Sequence, residues 1–253
     1  MPLYALLTFG LLAATGNLVG GFLVTHSSLA RLKWQKPLVA IGAGFMLAAV
    51  VLELIPAALE QAASNKRGAL ALLLAGYLAL FLVSHFFDGH VHDATSNPYH
   101  SNSDHLLGHS IARRIVAALM VHSFFDGVTI ASGLLVSREL GILLLVAAML
   151  HKIPEGFTVA SVLLGAGDSR NTALQASALI AAATMAGVLS ILVFHPSVLY
   201  TLPFAAGVTF YVVATDLIPE ISRERRWAAS AELGLGITLF YLTHLLLDAA
   251  GLK

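Results

Sequence analysis

The chain has 253 residues, of which 58% are hydrophobic and 11% charged, with a mean hydropathy of +0.84; this excludes a soluble globular domain. Fourteen basic and fourteen acidic residues cancel, which leaves no positive field to hold nucleic acid by its phosphates. The chain has no cysteine, which excludes disulfides, thiolate metal sites, iron–sulfur clusters and thiol catalysis, and leaves eleven histidines as the notable polar residues.

Eight apolar segments follow one another, each near the ~20 residues that a helix needs to cross a ~30 Å hydrocarbon layer. They cover about 3–25, 37–59, 68–87, 115–136, 140–165, 172–194, 198–221 and 227–249. The expected fold class is therefore an all-α polytopic membrane protein, a single transmembrane domain over 1–253. The first segment has no basic leading region and no small-residue cleavage site, so it reads as a span rather than a cleaved signal. The connections after spans 1, 3, 5 and 7 hold Arg31, Lys33, Lys36, Arg113, Arg114, Arg170, Arg223, Arg225 and Arg226. The other side holds Lys66, Arg67, Arg138 and Lys253, and Lys152 lies inside span 5. Basic residues gather on the cytoplasmic side, so both termini are expected outside the cytoplasm, in a plasma or inner membrane. The longest connection, about 88–110, is then a cytoplasmic loop with His90, His92, His100, His105 and His109 among Asp, Ser and Asn. It reads as a flexible, metal-attracting tract.

Spans 4 and 5 repeat one another at an offset of 29. His122-Ser-Phe-Phe-Asp126-Gly127-Val-Thr129-Ile-Ala131-Ser132-Gly-Leu134-Leu135 lies over His151-Lys-Ile-Pro-Glu155-Gly156-Phe-Thr158-Val-Ala160-Ser161-Val-Leu163-Leu164, with seven of fourteen positions identical. A second match, at an offset of 163, sets Gly44 through Glu53-Leu-Ile-Pro56 over Gly207 through Asp216-Leu-Ile-Pro219. Shorter matches join spans 3 and 8 (Ser84-His85, Thr243-His244) and spans 1 and 6 (Ala13-Ala-Thr15, Ala182-Ala-Thr184). The paired spans run in opposite directions, which describes an inverted 3+2+3 repeat about an axis in the membrane plane, an arrangement of transporters.

Residues i and i+4 share a helix face about 5–6 Å apart at Cβ, so His122/Asp126 and His151/Glu155 form two matching clusters. Brought together, two imidazoles and two carboxylates suit Zn²⁺, and with added water Fe²⁺, Mn²⁺ or Cd²⁺. A packing contact alone has no need of the duplicated spacing, and ionisable groups at mid-membrane cost several kcal/mol each. The Pro154 ring frees the carbonyl of Leu150, so span 5 is expected to bend there and expose an oxygen. Glu53 and Asp216, in matched places before the prolines, are pathway candidates. An enzyme is the other class: a multi-span zinc-dependent membrane hydrolase would also gather His and acid, but the sequence has no H-E-x-x-H motif and no G-x-S-x-G motif.

The pair His-Ser-Phe-Phe-Asp-Gly and His-Lys-Ile-Pro-Glu-Gly resembles the metal motifs in the fourth and fifth helices of the ZIP (Zrt/Irt-like) metal transporters. Eight spans, a His-rich loop between spans 3 and 4, and Leu-Ile-Pro in spans 2 and 7 agree with that family. The resemblance implies uptake of a divalent metal into the cytoplasm through His122, Asp126, His151 and Glu155. It also implies a homodimer moving in an elevator-like fashion, with no enzyme activity. The chain departs from the family where many members carry Asn (Ser123 here), a metal ligand (Lys152 here) or, in some, Glu near Thr184. These positions build a second metal site in binuclear members, so Ser123 and Lys152 are second-site candidates. Lys152 is expected to act there as a tethered cation, leaving a mononuclear site.

Overall fold

The computed structural model describes residues 3–26, 35–63, 65–88, 109–194, 197–223 and 227–251. Among these, nearly every residue is helical and none forms a strand. Among the described residues, eight helices are long and apolar enough to cross a membrane. They are α1 (Leu3–His26), α2 (35–61), α3 (Lys66–Asp88), α4 (His109–Val136), α5 (Arg138–Gly165), α6 (Arg170–Phe194), α7 (198–223) and α8 (Trp227–Ala249). Inside a bilayer the backbone has no water to bond, so a helix that satisfies its own N–H and C=O groups is the natural solution for such segments. The outer sides of α3 and α8 expose Leu74, Leu78, Leu82, Leu242, Leu245 and Leu246, a surface that lipid accepts and water does not.

Two helices are interrupted in the same way. In α2 a π-helical stretch, Val50–Leu54, precedes Ile55–Gln61; in α7 another, Val212–Leu217, precedes Ile218–Arg223. Each stretch runs into a Leu-Ile-Pro triplet. Pro56 and Pro219 have no N–H to give and their rings crowd the carbonyl four residues back, so the helix widens there instead of holding a strained α turn. Glu53 lies in the first widened segment and Asp216 in the second.

The helices divide by contact into a central group and two flanking pairs. Within the group, α1 packs on α5 and α6, and α4 packs on α5 and α6. The pairs are α2 with α8 and α3 with α7, and they meet the group where α2 lies on α5 and α7 on α4. Lipid tails give helices no hydrophobic reason to associate, so close backbone approach through small residues takes over. A Cβ on Gly20 would land on the carbonyl of Ile153, and one on Gly156 on that of Asn17, which closes α1 onto α5. On α4 and α6 the same relation joins Gly187 to Phe124 and Gly127 to Thr184. In the flanking pairs it joins Gly44 to Leu233 and Gly236 to Ile41, then Gly207 to Leu73 and Gly76 to Phe204.

Two sequence-derived boundaries shift. Asp88 closes α3, and His109 and Ser110 open α4, so the loop expected over 88–110 is shorter, because α4 continues past the apolar stretch through Arg113 and Arg114. His109 is exposed, with Nδ1 3.4 Å from Asp168 Oδ2. His90 and His92 lie outside the described residues.

Candidate metal site

Every sequence-nominated ligand of α4 and α5 converges on the interface between those helices. His122, Asp126, His151 and Glu155 are all buried, and one ligand atom from each falls within 4.8 Å of all the others. The hub is Asp126 Oδ2, which lies 3.2 Å from His122 Nε2, 3.3 Å from His151 Nε2 and 2.7 Å from Lys152 Nζ. Lys152 is fully buried, and its Nζ also meets Glu155 Oε2 at 2.7 Å and donates to Ser123 Oγ at 2.6 Å. Ser123 donates in turn to Glu155 Oε1 at 2.7 Å. Positions that correspond at the offset of 29 thus face each other: Ser123 meets Lys152, and the two imidazoles stand 5.9 Å apart between ring centres.

The imidazole of His151 is oriented from behind. Its Nδ1 lies 2.8 Å from the carbonyl of Ala147, one turn earlier in α5. A carbonyl only accepts, so Nδ1 carries the hydrogen and, in the neutral ring, Nε2 turns a lone pair toward the carboxylate of Asp126. The 3.3 Å contact of Nε2 with Asp126 Oδ2 is a hydrogen bond when Nε2 also carries a hydrogen and leaves a metal-binding lone pair when it does not, and a backbone carbonyl behind the ring is how metal-binding histidines are commonly held. His122 Nδ1, by contrast, is buried without a hydrogen-bond partner.

Asn17 of α1 belongs to the same construction. With its amide nitrogen turned toward the acceptors, it donates to the carbonyl of Lys152 at 2.7 Å and to Glu155 Oε2 at 3.2 Å. The close approach of Gly20 and Gly156 is what brings Asn17 this near. The Leu150 carbonyl freed by Pro154 does not face the ligands; it lies against Gly42 of α2, where a Cβ would stand 3.3 Å from it. Thr184 is buried and its hydroxyl bonds to Ile180 O within its own helix. Of the pathway candidates, Glu53 stands with His244 of α8, 3.1 Å from its Nδ1, while the side chain of Asp216 lies outside the described residues. Beside the hub is a cavity of about 10 Å³, room for one water, lined by Asp126, His151, Thr129 and Thr209 and by Met46 and Val50 of α2.

A family model described as ZIP zinc transporter matches residues 109–244, the stretch that contains this site. The chain belongs to the ZIP family. No curated protein matches it. ZIP proteins are transporters of divalent metal cations, so the chain is a multi-pass membrane transporter and the alternative of a zinc-dependent membrane hydrolase falls away. The buried His and carboxylate cluster is compatible with a divalent metal transporter.

Proposed function

We propose that this chain carries a divalent transition metal, with Zn²⁺ as the first candidate, into the cytoplasm, and that His122, Asp126, His151 and Glu155 hold the ion in transit. The observation that carries the reading is the convergence of these four side chains, from two helices, on one buried point. Two nitrogens and two carboxylate oxygens fit a tetrahedral zinc ion, and Fe²⁺, Mn²⁺ and Cd²⁺ accept the same donors. Metal and protons compete for these groups, since imidazole and carboxylate bind metal only when deprotonated. The excess of basic residues on the odd-to-even connections, those after spans 1, 3, 5 and 7, supports both termini outside the cytoplasm, in a plasma or inner membrane. A homodimer is the assembly the family suggests.

The inverted 3+2+3 repeat is part of this proposal, since such a repeat serves alternating access. The contacts exchange when α1 is read for α6, α2 for α7, α3 for α8 and α4 for α5: the α1–α5 pairing becomes α6–α4, α2–α8 becomes α7–α3, and α2–α5 becomes α7–α4. The glycine contacts keep the same offsets. Ile153 and Phe124 differ by 29, as do Gly156 and Gly127; Gly44 and Gly207 differ by 163, as do Ile41 and Phe204. They also set Asn17, not Thr15, over Thr184, two residues from the register of the Ala-Ala-Thr triplets.

The test is uptake of Zn²⁺, Fe²⁺, Mn²⁺ and Cd²⁺ into sealed proteoliposomes of purified protein, in competition and across several pH values. Saturable entry of at least one ion supports the reading, and no entry of any of them overturns it. In the same assay, a chain with residues 89–108 replaced by a short connector should still transport, with an altered rate, if His90 and His92 serve as a cytoplasmic acceptor. An unchanged rate would remove the loop from the mechanism.

A further inference from the structure

A second His and carboxylate cluster lies away from the transport site, at the membrane face that carries Leu3 and Ala249. It is built by three helices. The widened segment of α2 presents Glu53, the first turn of α5 presents Glu139 just after the Ser137 cap, and α8 presents His244 and Asp248 one turn apart. His244 stands in the middle: its Nδ1 is 3.1 Å from Glu53 Oε1 and 3.1 Å from Glu139 Oε1, and its Nε2 is 3.8 Å from Asp248 Oδ2. Glu139, His244 and Asp248 each place one ligand atom within 4.8 Å of the other two.

Two features separate this group from an ordinary solvated acidic patch. One is that Nδ1 of His244 and Oε1 of Glu139 are shielded from solvent and, although 3.1 Å apart, are not aligned as a hydrogen bond. Atoms at that spacing without a shared proton are placed like ligands around a common centre: bonds of about 2.0–2.2 Å to one ion set neighbouring donors about 3.0–3.5 Å apart. The other is access. The side chains of His244 and Asp248 are 27% and 30% exposed, while Glu139 is 12% exposed, so the group opens to water at one edge and is walled at the other.

We propose that Glu139, His244 and Asp248, with Glu53 beside them, form a second divalent-cation site, independent of the transport site. Glu139 precedes His151 by twelve residues on α5, which at 1.5 Å per residue separates the two sites by about 18 Å. The imidazole selects a borderline ion such as Zn²⁺ over a hard one such as Ca²⁺. The ligands come from both sides of the seam between the central helix group and the α2–α8 pair, so a bound ion ties α5 to that pair.

The test counts Zn²⁺ bound to purified full-length protein by equilibrium dialysis, in a background that carries H122A and H151A. That protein should bind one Zn²⁺ per chain more than the same protein with H244A added, and one more than with Glu139→Gln added. The Glu139→Gln variant changes a single oxygen and guards against loss of fold in the other. Gel filtration checks that both remain monodisperse. Equal stoichiometry with and without either substitution overturns the second site, whatever the transport assay shows.

Discussion

Proteins carrying His151→Ala or Glu155→Ala should reach the membrane at normal levels and lose most of their metal uptake. Removing a group that only supports a ligand costs metal affinity about 10–100-fold, so loss of a ligand itself should cost at least that much. The two residues fail for different reasons. His151 is the ring whose orientation is fixed from behind by Ala147 O, and its Nε2 faces Asp126 Oδ2 at 3.3 Å; alanine deletes a donor already in place. Glu155 is held by three partners, Ser123, Lys152 and Asn17, and alanine leaves Lys152 with Asp126 as the one carboxylate of this site beside it. Asn17→Ala should therefore weaken uptake less than Glu155→Ala, by raising the metal concentration needed for half-maximal rate. Initial rates in proteoliposomes at matched protein density measure all three. Near-normal flux from His151→Ala or Glu155→Ala would sink the assignment of the transport site.

The sequence disclosed the part of this site that sits in consecutive turns. His122/Asp126 and His151/Glu155 share a helical face by spacing alone, and their duplication marked them as a pair. The spans were legible for the same kind of reason, since apolar length is a local property, and the Leu-Ile-Pro triplets marked the places where α2 and α7 widen. What local pattern cannot show is which distant helices touch. Asn17 has no neighbour in sequence that points to Glu155; only the glycine contact of α1 with α5 brings them together. Glu139 looks like an acid placed at a helix start, where the backbone dipole favours it, and Asp248 looks like an anchor at a span end. Their meeting with His244 and Glu53 depends on the packing of α2, α5 and α8.

Lys152→Asp should raise the number of ions held between α4 and α5 from one to two. An ammonium buried without compensation is costly, and in this site Lys152 has no exposed surface and touches Asp126, Glu155 and Ser123. With neutral imidazoles, its charge reduces the net charge of the two carboxylates from minus two to minus one. One divalent ion then leaves the site at plus one, and a second would leave it at plus three beside a fixed ammonium. Aspartate in its place removes that cation, adds a donor and brings the carboxylates to minus three, enough to hold two ions. Lys152→Met probes the same charge from the other side. It strips compensation from a buried pair, a change that typically costs about 3–5 kcal/mol, so the metal-free protein should melt earlier and recover more than the parent on addition of Zn²⁺. Counting bound Zn²⁺ relative to an Asp126→Ala Glu155→Ala protein isolates this site from every other one in the chain. A difference of one ion for the unmodified protein and two for Lys152→Asp agrees with a tethered cation in the second position, and a difference of two for the unmodified protein rules it out.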